Sequence, residues 1–533
     1  MSYVDALELT RSPSGTVALF NPERPRRSPA MAIPVEVWRH VFDLLPASVQ
    51  AALATVNRTC LQTYRAIRYR AIDFEDYGRV TKRLVRLLGS VTIVPTQSSE
   101  ADGQSSHSDP TVASFVREVR VRPWDISRES RRKKHHLLFR LWVHLNSVLS
   151  PAEAERLAHE RSACRAHRRI KRIRSALAIT PALRYTVEWD EQLPYSNAFF
   201  SQLLEPVLSG AMSQSLIHLS LKIPPSTNLT DRLVGIRLPA LETLHIEFCL
   251  PNGQPHAMHF VEEMRLFVNN VEHPDRAHLQ ALEIGVTSSS DPFALSAFFE
   301  HLGPFRALDR FQLTVPFNGA HLQDVSGLRT FLLLHARQLH RLAFRTRRMT
   351  PAAAHSNPGW VLSALRGICF PRLVSAELAL RPVVGPFDVE ALADWVRAHA
   401  GNLRSLVLTD RQLMLEEVAI LVDALDVDIV RRVKLRVRRL SASLLDTIAR
   451  ALPLLRKLEI TFVDIGAMEE SRHGVVAFSD SLHAVHGSFQ GWALERLVLR
   501  QPFRTLDEIE QAALANEFRL AIPSLQLIRI QLS

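Results

Sequence analysis

At 533 residues the chain exceeds the ~250–300 residues at which one core usually stops growing, so several units or a repeat array are expected. With 47% hydrophobic and 22% charged residues, and no run of roughly 20 apolar ones, the composition is that of a soluble globular chain and excludes a membrane-spanning helix. Four scattered cysteines, Cys60, Cys164, Cys249 and Cys369, argue against a disulfide framework or a zinc ribbon, while the net charge of +11 leaves open nucleic acid, an acidic partner or one local basic element.

Residues 1–30 are polar and Pro-punctuated, without periodicity or a secretory pattern, so a disordered arm on a cytoplasmic or nuclear protein is expected. Residues 31–75 read as a small helical unit. In IPVEVWRHVFDLLP, residues 33–46, the apolar Val37, Trp38, Val41, Phe42 and Leu45 recur at helical intervals. Pro34 suits a first turn, and Pro46 ends the helix. Val49, Leu53 and Val56 continue the pattern to Asn57-Arg58, and the unit closes on Ile72-Asp73-Phe74. Residues 76–113 are read as a helix followed by a low-complexity loop, PTQSSEADGQSSHSDPT, at 95–111.

The charge is concentrated in an insertion at 128–180. From Arg128 to Arg174 there are fourteen Arg and Lys against four Glu, a net +10. The segments RESRRKKHHLLFRLWVHL and AERLAHERSACRAHRRIKRIR predict two amphipathic helices parted near Pro151. A solvated charge face, nuclear-import recognition and phosphate or RNA contact all fit such a face. An RNA reader would want interleaved aromatics for stacking, and only Phe139 and Trp142 lie near.

From 114 to 533 the chain repeats itself. The spacing L-x-x-L-x-L, with other apolar residues substituting, occurs at Leu216/Leu219/Leu221, Leu241/Leu244/Ile246, Leu279/Leu282/Ile284, Leu308/Phe311/Leu313, Leu339/Leu342/Phe344, Leu373/Ala376/Leu378, Leu403/Leu406/Leu408, Val430/Val433/Leu435, Leu455/Leu458/Ile460, Leu494/Leu497/Leu499 and Leu525/Ile528/Ile530. Weaker copies stand at Val116/Val119/Val121 and Ala182/Tyr185/Val187. Helical patterns such as VSGLRTFLLLHARQ and DVEALADWVRAHAGN lie between them. A short strand with one helix cannot bury its apolar edge alone, whereas stacked copies share a continuous core.

This succession resembles the leucine-rich-repeat solenoid. It implies an α/β fold with short parallel strands on the concave side and helices on the convex side. The Asn or Cys that the family places eight residues after the first Leu appears only as Cys249, so an irregular solenoid without the usual turn-bonding ladder is expected. The N-terminal unit resembles an F-box: Ile33-Pro34-Val35-Glu36, then Leu45-Pro46, then Val56-Asn57-Arg58. The order of the two also resembles F-box proteins of basidiomycete fungi. The resemblance implies a substrate receptor of a Skp-cullin-F-box ubiquitin ligase. Ile33, Pro34, Val37, Trp38, Val41, Phe42, Leu45, Pro46, Leu53 and Val56 would then face the Skp-type adaptor, and through it a cullin, or shape that surface. A cap on the solenoid is the plainer reading of the same helices.

Alternation along the strands assigns Arg310, Arg341, Arg345, Arg432, Lys434, Arg436, Lys457, Arg496, Arg500 and Arg529 to the exposed, concave face, together with Lys222 and with Glu247, Glu283, Glu377 and Glu459. Such a face would attract an acidic or phosphorylated protein target, or would merely keep the sheet soluble. No phosphate loop, nucleophile turn, zinc helix or dinucleotide fingerprint is present. The expectation is therefore a binding protein rather than an enzyme, with no cofactor, metal or membrane. The alternative is a basic repeat scaffold for RNA or acidic proteins.

Overall fold

The computed structural model of the protein describes residues 35–74, 77–89, 112–122, 151–188, 202–204, 212–223, 236–249, 257–271, 278–287, 293–317, 319–347, 357, 359–380, 386–465, 474–501 and 508–532. The chain divides after Arg68 into two compact units.

Among its described residues the first unit holds three helices, α1 (Val35–Leu44), α2 (Ala47–Leu53) and α3 (Arg58–Arg68). They close over Phe42, Ala54, Cys60 and Thr63, all buried. Side chains satisfy the helix ends. At the end of α1 the Gln50 amide donates to the carbonyls of Phe42 (2.6 Å), which also accepts from the Leu45 N–H, and of Leu45 (2.9 Å). Asn57 Oδ1 accepts from the Cys60 N–H at 2.7 Å, an N-cap that starts α3.

The second unit is one sheet, with strands in chain order: β1 (Ala71–Phe74), β2 (Glu118–Val121), β3 (Arg184–Val187), β4 (His218–Ile223), β5 (Thr243–Phe248), β6 (Ala281–Val286), β7 (Arg310–Pro316), β8 (Arg341–Arg347), β9 (Ser375–Ala379), β10 (Ser405–Thr409), β11 (Arg432–Leu440), β12 (Lys457–Ile465), β13 (Arg496–Gln501) and β14 (Leu527–Leu532). Every pairing is parallel. The sheet register is the register of the sequence motif. The second apolar place runs unbroken from Leu219 through Leu244, Leu282, Phe311, Leu342, Ala376, Leu406, Val433, Leu458 and Leu497 to Ile528. Because side chains alternate, this register turns the triplets to one face, where helices cover them, and leaves the other face open. This is the topology of a leucine-rich-repeat solenoid.

The sheet begins earlier than the spacing indicated. Ile72 and Phe74, read from sequence as the close of the helical unit, are buried in β1 and pair with Val119 and Val121. Four alternating residues beside a helix are too short to declare a period. The helical patterns of the repeats form helices Ser326–His335, Val389–His399, Ala442–Ala451 and Glu508–Ala521. Repeats approach closely at Gly327, where any Cβ would lie 2.0 Å from the Ser296 carbonyl oxygen. In the basic insertion, helix Pro151–Leu177 opens at Pro151 and buries Ile170, Ile173, Ala176 and Leu177 while Arg168, Lys171 and Arg172 stay exposed. The insertion's first predicted helix, the 95–111 loop and the N-terminal arm lie outside the described residues.

A different device replaces part of the expected turn ladder. The residue just before the first Leu of a repeat donates its side chain to a carbonyl of the preceding repeat: Gln338 to Phe305 (2.6 Å), Asn402 to Pro371 (2.9 Å) and Ser524 to Trp492 (2.6 Å). Three residues before Gln338 and Asn402, the buried His335 and His399 accept from the backbone N–H of Phe305 (3.0 Å) and Phe370 (2.9 Å) through Nε2. Their Nδ1 atoms face the carbonyls of Phe331 and Trp395, which only accept, so each ring is neutral with its proton on Nδ1. Burial holds both pKa values below the ordinary histidine value, against the pull of those carbonyls.

A depressed histidine pKa means the unfolded chain binds more protons as the pH falls below about 6.5. The stabilisation is therefore complete above that value and is lost on acidification through the folded-state pKa. His335→Ala with His399→Ala should flatten the fall in urea midpoint between about pH 7.5 and about pH 5. At the higher pH it should lower stability by about 1–3 kcal/mol for each buried N–H left without an acceptor. An unchanged pH slope would contradict the assignment.

Candidate functional site

The first unit leaves apolar surface that its own helices do not cover. Val37 is 46% exposed, Val41 39% and Val56 66%, and Pro46 is also exposed. Trp38, Leu45 and Leu53 are half-buried, with the Trp38 ring edge-on to Phe42 at 6.4 Å. Ile33 and Pro34 lie outside the described residues. Phe42 is fully buried between the helices of the unit. Leu44, 85% exposed, and Val49, 41% exposed, belong to the uncovered set and were missed by reading only one helical face.

The open face of the sheet has two electrostatic halves. Across β2 to β9 three of its carboxylates, Glu188, Glu247 and Glu377, are held in ion pairs. Glu188 pairs with Arg120 and Arg122, and Arg345 with Glu377 at 2.6 Å. Arg310 and His340 flank Asp309, at 3.8 and 3.1 Å, while Arg341 stands opposite Arg310 in register. The buried Glu247 accepts a two-toothed bond from Arg347, 2.5 and 3.0 Å, with Lys222 at 3.7 Å on its other side. That bond spans β6 and β7 to join β5 and β8, and Gly285, whose missing Cβ would stand 3.4 Å from Glu247 Cγ, leaves it room. Arg347 stands eight residues after Leu339, in the place of the usual Asn. Its partner lies 100 residues away, which no local pattern discloses.

Across β11 to β14 the balance is lost. The first three open-face places of these strands hold Arg432, Lys434, Arg436, Lys457, Arg496, Arg500 and Arg529 against one carboxylate, Glu459. Glu459 is buried between Lys434 (2.8 Å) and Arg500 (3.2 Å). Burial works to raise its pKa, but the Lys434 hydrogen bond and the charges of Lys434, Arg500 and Arg432 outweigh it and hold the carboxyl below its ordinary range. Arg432, Lys457 and Arg496 are register partners on adjacent strands, a row of three like charges. Burial, then Arg432 and Arg496, push the Lys457 ammonium below its ordinary value despite the pull of Glu459.

A groove of about 710 Å³ lies beside the end of β11, walled by Leu413, Met414, Val437, Leu444, Phe478 and Val485 among others. Its described lining also includes Glu416, Arg438, Arg439 and the serines Ser441, Ser443 and Ser481. Among the described residues no helix is long and apolar enough to cross a membrane.

No family model matches the chain, and no curated protein matches it. Among solved structures, the chain is similar to one described as the crystal structure of a TLR13-ssRNA13 complex, at 13% identity and a TM-score of 0.31, covering 68% of this chain and 48% of that one. The chain thus spans about half the length of that protein.

Like charges directly opposite one another on neighbouring strands destabilise a sheet. Lys457→Met should therefore raise stability, by about 0.5 kcal/mol in chemical denaturation. A loss of stability would mean that the row is internally compensated.

Proposed function

We propose that the protein is a substrate receptor: the three-helix unit docks on a Skp-type adaptor of a cullin-based ubiquitin ligase, and the repeat unit holds a target protein. The observation that carries this reading is the uncovered aliphatic set Val37, Val41, Leu44, Val49 and Val56, on a unit whose sequence resembles an F-box. Five exposed aliphatic side chains on so small a unit support an interaction surface. The packing supports the same assignment. Phe42 and Cys60 fix α1 against α3, and the Gln50 and Asn57 bonds set the helix ends, so the exposed valines stand on a rigid frame.

In this reading the chain makes and breaks no bond. It acts by raising the effective concentration of a target beside the transfer machinery, which needs two binding surfaces on one molecule and no enclosed cleft. The extended open sheet supports the second role, since a solenoid presents a long surface with little conformational cost on binding.

Co-expression with a Skp-type adaptor followed by size-exclusion chromatography tests the reading. The wild type should co-elute with the adaptor. Val37→Asp with Val41→Asp, both at exposed places, should abolish co-elution without lowering the melting temperature, since charges buried in an interface cost more than about 2 kcal/mol each. A folded wild type that does not co-elute would refute it.

A further inference from the structure

The basic half of the open face carries more information than its net charge. Arg432, Arg436, Lys457, Arg496 and Arg529 hold no ion pair among the described residues, because the one carboxylate in their midst is taken by Lys434 and Arg500. The Nε atoms of Arg432, Arg436 and Arg496 are also shielded from solvent without an acceptor. The Nε atoms of Arg120 and Arg310 are equally without an acceptor, so it is the gathering of five cations without a carboxylate partner on one face that points to oxygen ligands supplied from outside. Folding does not demand this arrangement, since the same row in β9 and β10 is filled by Ser375 and Ser405.

We propose that β11 to β14 bind an acidic peptide segment of the target protein, rich in Asp and Glu and laid across the strands, an inference that rests on the receptor reading above. Three features select this ligand. Glu459 stands between the row Arg432, Lys457, Arg496 and the outlying Arg436, with Arg529 two strands away along its own row, so the free cations do not converge on one point as a compact dianion would require. A chain of single carboxylates can step around that central negative charge. Its carboxylates can also be held by the planar fork of Arg, which suits two-toothed recognition. Finally, the open-face places of these strands carry no aromatic residue, only Thr461, Val463, Val498, Leu527 and Gln531 beside the charged ones. Bases would have nothing to stack on, whereas an extended peptide needs no stacking platform.

The test is fluorescence anisotropy of a labelled oligoglutamate peptide titrated with the full chain, beside a labelled oligothymidylate and a phosphoserine peptide of otherwise neutral sequence. Oligoglutamate should bind most tightly and weaken with added salt. Arg432→Ala with Arg496→Ala should weaken it by about tenfold or more. Arg345→Ala, which removes a cation already paired with Glu377, should leave binding within about twofold. Thermal melting of the double variant is recorded alongside, so that loss of binding by a folded chain is distinguished from unfolding. Three outcomes overturn the proposal: no oligoglutamate binding, tighter binding of the oligothymidylate or the phosphopeptide, or an equal loss in Arg345→Ala. None of these variants lies in the three-helix unit, so adaptor co-elution is measured independently and either reading can fail alone.

Discussion

Everything in the larger unit depends on one constraint: no single strand-and-helix copy can bury its own apolar edge. Leu458 has the buried Val433 on one side and the buried Leu497 on the other, and each of those repeats the arrangement with its next neighbour. A buried leucine contributes about 1.5–3 kcal/mol, but only if its neighbours exclude water. The register is therefore cooperative. Sliding one strand by a residue would turn its triplet to the open face and its charged residues into the core. The constraint also fixes what is free to vary. Alternate places on each strand, released from packing, form a surface whose chemistry evolution sets independently of the fold.

That division explains what the sequence discloses. The triplets are local and repeated, so the strands β2 to β14 and the open-face assignment of Arg432, Lys434 and Arg436 could be read directly. β1 escaped because AIDF, beside a helix, shows only one and a half alternations. The ion pairs escaped for a different reason. Arg347 and Glu247 meet because three strand spacings bring them together, and the chain between them carries no trace of that meeting. A count of charges along the open face thus overstated the free charge near β8, where Arg345 is engaged by Glu377, while the single carboxylate of β11 to β14, Glu459, was already legible. The missing asparagine ladder was legible. Its partial replacement by His335, Gln338, His399 and Asn402 was visible only as the pattern His-Ala-x-[Gln/Asn]-Leu, which has meaning once the carbonyls and N–H groups of the preceding turn are in place.

The two buried histidines tie stability to pH through geometry rather than net charge. Each is held neutral by a donor at Nε2 that a second ring proton would oppose. They sit in the helices that precede β8 and β10, ahead of the basic half of the face. The small helical unit solves its own problem differently, by capping. With few buried side chains, it relies on Gln50 and Asn57 to close helix ends that a larger core would tolerate less well satisfied.

A receptor must hold both partners at once. The direct measurement is sedimentation velocity of the full chain with a Skp-type adaptor and a labelled oligoglutamate peptide, following the label. Label that moves with the chain–adaptor complex, in the same proportion as with the chain alone, is the predicted result. Label displaced by the adaptor, or sedimenting only with chain that lacks it, would contradict a molecule that joins two partners through separate units.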